Sequence, residues 1–244
     1  MDSYKVLYDT FFIGFVSMIS LHNFIKSFFL YHAGSDKYLT VLKIIFNVNI
    51  TIYFMIEFFF YVRNDLTLDE CKTISYVQMI ANFFMNQSLA TFGLMLIRQY
   101  EYKRFDAWAS IVLLVLRVIF NVIYLFSINP HINIFPVSND QFNICNNGTE
   151  HKENLMLLGF IDTLIDAYVM IRLIQILRKS PDSKDSINMF TLVMYWNLTT
   201  VLAAFCYHNF EHSQSNSLPI KCIVLIALSY LVTIDTENKR GYYQ

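Results

Sequence analysis

The chain has 244 residues, of which 55% are hydrophobic and only 15% are charged. This composition is too apolar for a single soluble core and is typical of a protein whose helices meet lipid. The formal net charge of −1 argues against nucleic acid as a partner, because binding to nucleic acid requires a basic face. We therefore expect the lipid bilayer to be the main partner.

Seven stretches of the sequence are long and apolar enough to cross a hydrocarbon layer of about 30 Å as helices. They cover about residues 10–31, 38–62, 73–97, 107–128, 154–176, 188–206 and 218–234. Spanning strands are excluded by this length and by the need to pair every backbone group within lipid. The sequence therefore predicts an all-α fold, a polytopic membrane bundle of seven transmembrane helices forming a single domain over residues 1–244 with no soluble domain.

Basic residues set the predicted orientation, because Lys and Arg are retained on the cytoplasmic side of a membrane. If the N-terminus is outside, five basic residues flank the outer ends of the segments and twelve flank the inner ends. We therefore predict an outer N-terminus and a cytoplasmic C-terminus, in the plasma membrane or an endomembrane of the secretory pathway. The twelve inner residues are Lys26, Lys37, Lys43, Arg98, Lys103, Arg104, Arg172, Arg178, Lys179, Lys184, Lys239 and Arg240.

Two cysteines and one glycosylation sequon fall on the predicted outer side. Cys71 lies at the mouth of the third segment, and Cys145 lies in the long loop after the fourth. Because disulfides persist in oxidising compartments, we expect a Cys71–Cys145 disulfide. The sequon that starts at Asn147 predicts a glycan in the same loop. Cys206 and Cys222 leave two alternatives open, a second disulfide or two buried thiols.

Together these features resemble the plan of G-protein-coupled receptors, with seven segments, an outer N-terminus, and cysteines at the third segment and in the loop after the fourth. In that family the third helix ends in an acidic-Arg-aromatic motif. The matching stretch here is Ile97-Arg98-Gln99-Tyr100, which lacks the acid, and Trp196 has no neighbouring proline. The resemblance implies that a ligand is sensed from the outer side and that a cytoplasmic transducer meets the basic inner loops.

Polar residues recur along the third segment, which is otherwise apolar. Gln78, Asn82 and Asn86 follow one another at intervals of four residues, so they share one face of a helix. A polar stripe is unfavourable against lipid tails. We expect this face to turn toward other helices or toward a cavity lined by water.

Charged and amide side chains lie at a similar depth in three other segments: Arg117 in the fourth, Asp162 and Asp166 in the fifth, and Asn197 in the sixth. A lone charge at the centre of a bilayer costs about 2.5–3.5 kcal/mol, so we expect ion pairing, with Arg117–Asp166 as the favoured contact. This polar core is either a ligand-binding site or switch, or a static bridge between helices. Its predicted members are Asn82, Asn86, Arg117, Asp162, Asp166 and Asn197.

Two other functions stay open. The Arg and Asp residues are also suited to a transporter that couples solute or proton movement. Cys206, His208 and His212 form a Cys-x-His-x3-His pattern, which is suited to zinc and leaves open a zinc-dependent intramembrane hydrolase. The adiponectin-receptor and alkaline-ceramidase families are similar in helix count and hold zinc with histidines and a carboxylate. Segments two to five contain no histidine to complete such a site. We therefore expect no catalytic residue, metal or cofactor.

Overall fold

The computed structural model describes residues 3–34, 37–63, 66–100, 103–137, 140–149, 152–179 and 217–234. Within these ranges the chain forms six helices and one β-hairpin. The helices are α1 (Ser3–His32), α2 (Lys37–Val62), α3 (Leu68–Tyr100), α4 (Arg104–Phe126), α5 (Lys152–Lys179) and α6 (Ser217–Ile234). They match six of the seven predicted segments, and the remaining one, 188–206, lies outside the described residues.

The β-hairpin joins α4 to α5. Strand β1 (Ile128–Val137) pairs antiparallel with β2 (Asp140–Thr149), with Ile132 opposite Cys145. The sequence predicted only a loop here, because the prolines at 130 and 136 argue against a strand. In a two-stranded sheet each strand is an edge, where the missing N–H of proline is tolerated. The fold is thus helical apart from this connection.

Local signals at two helix ends explain where the helices begin and end. Thr67 and Glu70 form a capping box at the start of α3: the Thr67 N–H donates to Glu70 Oε2 over 2.9 Å, and the Glu70 N–H donates to Thr67 Oγ1 over 3.3 Å. This box fixes the helix mouth that carries Cys71. After α1, Gly34 adopts a φ of 80°, a conformation that favours glycine at the end of a helix.

The six helices pack as two groups. One group comprises α1, α2 and α6, which contact each other around buried side chains such as Ile13, Phe46 and Ile50. The other comprises α3, α4 and α5, which also contact each other, and α2 packs against α3 to join the groups. Strand β1 lies against α3. Both groups contain buried polar residues.

Among the described residues, three helices are long and apolar enough to span a membrane: Leu7–His32, Lys37–Phe60 and Arg104–Phe126. Helix α4 is polar inside and apolar outside. Its buried residues are Asp106, Ser110, Arg117 and Asn121, whereas Trp108, Val112, Val115, Ile119, Val122 and Phe126 are exposed. Such a helix is unfavourable in water and suited to lipid. These features indicate a membrane protein.

Candidate functional site

Arg117 is the centre of the polar core. Its Nε donates to Asp162 Oδ1 over 2.6 Å, its Nη2 donates to Asp162 Oδ2 over 3.3 Å, and its Nη1 donates to Gln87 Oε1 over 3.0 Å. A fork of donors facing both carboxylate oxygens is the favoured geometry for an arginine ion pair. This side chain therefore links α3, α4 and α5. We call Gln87, Arg117 and Asp162 the central cluster.

The two charged side chains of the central cluster differ in exposure. The Arg117 side chain is 3% exposed, whereas the Asp162 side chain is 36% exposed. The guanidinium therefore depends on its protein partners, because it has little access to solvent. The Asp162 side chain is less enclosed by protein than the guanidinium, and both of its carboxylate oxygens accept from Arg117.

The ion pair that the structure forms joins Arg117 to Asp162 and not to Asp166, the partner that the sequence favoured. A second ion pair between α4 and α5, Asp106–Arg172, sets the register of these antiparallel helices. Arg117 lies eleven residues after Asp106, and Asp162 lies ten residues before Arg172. Asp162 is therefore level with Arg117. Asp166 lies one helical turn closer to the Asp106–Arg172 pair and is half-buried.

The two asparagines of the predicted core lie next to the central cluster on α3. Asn86 Nδ2 donates to Asn82 Oδ1 over 3.1 Å, and both residues are half-buried. The third member of the stripe, Gln78, is buried and donates to Glu57 Oε2 of α2 over 2.5 Å. On α3 the residue that contacts Arg117 is Gln87, which follows Asn86. The sequence spacing did not identify Gln87, because it lies off the stripe.

The Asp106–Arg172 pair joins the beginning of α4 to the last part of α5. Asp106 Oδ2 lies 2.5 Å from Arg172 Nη2, and the side chains are 1% and 8% exposed. Tyr168 donates its hydroxyl to Asp106 Oδ1 over 2.7 Å. The sequence counted Arg172 among the charges at the inner helix ends, and in the structure this side chain is buried. The sequence did contain a signal for the burial of Asp106, because this residue shares one face of α4 with Ser110 and Arg117.

A neutral cluster links α1, α2 and α6. Asn23 Nδ2 donates to Ser229 Oγ over 2.7 Å, and Ser229 Oγ donates to Asn47 Oδ1 over 2.6 Å. All three side chains are buried. Lys43, one turn before Asn47, is also buried and has its Nζ 5.6 Å from the centre of the Phe92 ring. Lys43 was likewise counted among the charges at the inner helix ends, a side that stays a prediction.

The predicted Cys71–Cys145 disulfide is present. The two Cα atoms are 5.6 Å apart, and the residues are separated by 74 positions. The disulfide fastens strand β2 to the first turn of α3. Cys222 is a buried free thiol, and Cys206, its partner in the alternative of a second disulfide, lies outside the described residues. Asn147 lies on β2 opposite Pro130.

A further polar contact lies toward the end of the bundle that carries the disulfide. Lys221 of α6 places its Nζ 2.7 Å from the Tyr53 hydroxyl of α2 and 4.3 Å from the centre of the Tyr53 ring. Glu57 follows Tyr53 by one turn on the same helix. Tyr53 therefore joins α2 to α6, and Glu57 joins α2 to α3.

Four candidate site residues lie outside the described residues: Asn197 of the predicted core, and Cys206, His208 and His212 of the zinc alternative. In the part of the chain that the structure describes, no three His, Cys, Asp or Glu residues are grouped to hold a metal ion. No family model matches the chain, and no curated protein matches it. Its function is therefore inferred from its own residues.

Proposed function

We propose that the chain is a receptor-like, multi-pass membrane protein of seven helices with its N-terminus outside and its C-terminus in the cytoplasm. In this proposal a polar ligand reaches the central cluster from the outer side, and a cytoplasmic partner reads the resulting change at the basic inner loops. The membrane is the plasma membrane or an endomembrane of the secretory pathway. The observation that carries the proposal is the unequal exposure of Arg117 and Asp162.

The central cluster is suited to a switch because its charges depend on each other. A buried ion pair that loses one partner leaves an uncompensated charge, which costs about 3–5 kcal/mol. A ligand that engages the Asp162 carboxylate competes with Arg117 for the same oxygens. Apart from Asp162, the partner of Arg117 among the described residues is Gln87. When the ligand displaces Arg117 from Asp162, the arginine favours a new arrangement of α3, α4 and α5.

The second ion pair, Asp106–Arg172, lies toward the proposed inner side of the same helices. Asp106–Arg172 joins the same two helices as Arg117–Asp162, about eleven residues closer to the inner ends. A shift of α4 against α5 at the central cluster therefore strains the inner pair as well. Arg98 and Arg178, which are exposed near the inner ends of α3 and α5, are placed to report such a shift to a cytoplasmic partner.

The test is a thermal-stability screen of the purified full-length chain in lipid nanodiscs against a library of small polar and cationic metabolites. We expect compounds that raise the unfolding temperature of the native chain and not of the Asp162→Asn variant. Asp69→Asn is the matched control, because Asp69 is exposed in the first turn of α3. Stabilising compounds that act equally on all three proteins, or a screen with none, would count against a ligand site at Asp162.

A transporter is the second candidate, and the partly exposed Asp162 carboxylate is the observation that favours it. A membrane carboxylate that is only partly enclosed by protein can take up and release a proton or a cation. Proteoliposomes that contain a trapped pH dye distinguish the two functions. Solute-dependent proton flux that disappears in Asp162→Asn identifies a transporter, whereas ligand-dependent stabilisation without flux identifies a receptor.

A further inference from the structure

The start of α4 presents basic and aromatic side chains side by side. Lys103 and Arg104 are exposed, and they are followed by Phe105 and Trp108, which are 73% and 70% exposed. We call these four residues the α4 rim. Large aromatic residues at this exposure are expected at the level of lipid headgroups, where their rings meet both apolar and polar surroundings.

The acidic residue within this stretch does not offset the positive charge of the rim. Asp106 follows Phe105 directly, but its side chain is 1% exposed and forms an ion pair with Arg172. Tyr168 occupies its other carboxylate oxygen. The negative charge is thus turned into the bundle, where Arg172 pairs with it, while Arg104 is exposed on the side of α4 that faces away from the bundle.

The rim continues into an apolar surface that runs along the length of α4. Val112, Val115 and Ile119 are all exposed on the outward side of this helix, whereas the charged Arg117 is turned inward. A molecule that binds here therefore meets positive charge at one end of the helix and a hydrocarbon surface beyond it. This combination fits an acidic phospholipid, which carries a phosphate headgroup and two acyl chains.

We infer that the α4 rim binds the headgroup of an acidic phospholipid, with Lys103 and Arg104 facing its phosphate, Trp108 at the level of the glycerol, and the acyl chains along α4. This lipid site goes beyond the proposed function, since it requires neither a soluble ligand nor a transducer. It is separate from the central cluster, because Arg117 faces the interior while the rim faces lipid.

The experiment is native mass spectrometry of the full-length chain in detergent with an equimolar mixture of phosphatidylserine and phosphatidylcholine. We expect the native chain to retain phosphatidylserine preferentially. Arg104→Gln should lower this preference about fivefold, the effect of one basic residue near an anionic lipid surface. Lys72→Gln is the matched control, because Lys72 is exposed at the beginning of α3, near the opposite end of the bundle, and should leave the preference unchanged.

A second variant and a competitor make the outcome decisive. Trp108→Leu keeps the charge and should shorten retention of both lipids, which supports the assigned position of the ring. Equal lipid preference in the native chain, Arg104→Gln and Lys72→Gln would overturn the inference. Full displacement of the lipid by soluble glycerophosphoserine would also overturn it, because the acyl chains would then contribute nothing.

Discussion

The two helix groups hold their polar interiors together in different ways. In α1, α2 and α6 the link is neutral: Asn23, Asn47 and Ser229 exchange hydrogen bonds, and all three are buried. In α3, α4 and α5 the link is ionic, between Arg117 and Asp162, and the carboxylate is partly exposed. Both arrangements satisfy polar groups inside an apolar protein, but the second does so with a pair of full charges, one of which is only partly enclosed by protein.

This difference indicates which group of helices is suited to change its arrangement. A neutral hydrogen bond contributes about 0.5–1.5 kcal/mol, and loss of one partner leaves a dipole unsatisfied. Loss of one partner of a buried ion pair leaves a whole charge unsatisfied, at about 3–5 kcal/mol. The α1, α2 and α6 group is therefore expected to act as a stable frame, against which the α3, α4 and α5 group can switch.

The largest effect outside the central cluster is expected at the inner ion pair. Asp106→Leu removes the partner of Arg172, which is 8% exposed, and should lower the unfolding free energy by about 3–5 kcal/mol. Asp69→Asn, an exposed acid with the same charge, should change it by less than about 0.5 kcal/mol. Thermal unfolding in nanodiscs measures both. An Asp106→Leu variant as stable as its control would show that this pair does not hold α4 to α5.

The disulfide adds a covalent constraint to the charged group of helices. Cys71→Ser releases strand β2 from α3 and should lower the unfolding free energy by about 2–4 kcal/mol. The measurement is thermal unfolding with and without a thiol reductant. Reductant should lower the stability of the native chain to that of Cys71→Ser and leave the variant unchanged. If reductant leaves the native chain at its original stability, the disulfide does not support the fold.

A smaller effect is expected in the neutral group. Ser229→Ala removes the hydroxyl that accepts from Asn23 and donates to Asn47, and it should cost about 1–3 kcal/mol in unfolding free energy. Thr73→Ala is the control, because the Thr73 hydroxyl is exposed and donates only to the Asp69 carbonyl of its own helix in the contacts described. A loss as large as that of Asp106→Leu would contradict the distinction between the neutral and the ionic links.

The positions of the helices could be predicted from the sequence because hydropathy alone determines which stretches enter lipid. Six predicted segments agree with described helices to within several residues at each end, as with 107–128 and Arg104–Phe126. The presence of an ion pair at Arg117 followed from the cost of burying a charge. The choice of Asp162 over Asp166 did not, since it depends on the register between α4 and α5, which is fixed by Asp106 and Arg172.

Other features had no distinct signal in the sequence. Asn47 and Ser229 lie 182 positions apart, and single polar residues in apolar segments do not identify their partners. The burial of Lys43 and Arg172 was not predicted, because charge counting considers position along a segment and not the direction of the side chain. The β-hairpin was missed because its prolines argue against strands, although an edge position tolerates them.

The most direct test of the central claim is a double-mutant cycle at Arg117 and Asp162, measured as unfolding free energy of the full-length chain in nanodiscs. Asp162→Leu leaves the buried Arg117 unpaired and should cost about 3–5 kcal/mol. Arg117→Leu should cost less, because the Asp162 side chain is 36% exposed and is less enclosed by protein than the guanidinium. The double variant should recover most of the loss, which gives a coupling energy above about 1 kcal/mol. Additive losses, or a larger loss for Arg117→Leu than for Asp162→Leu, would contradict the account of a buried guanidinium held by a partly enclosed carboxylate.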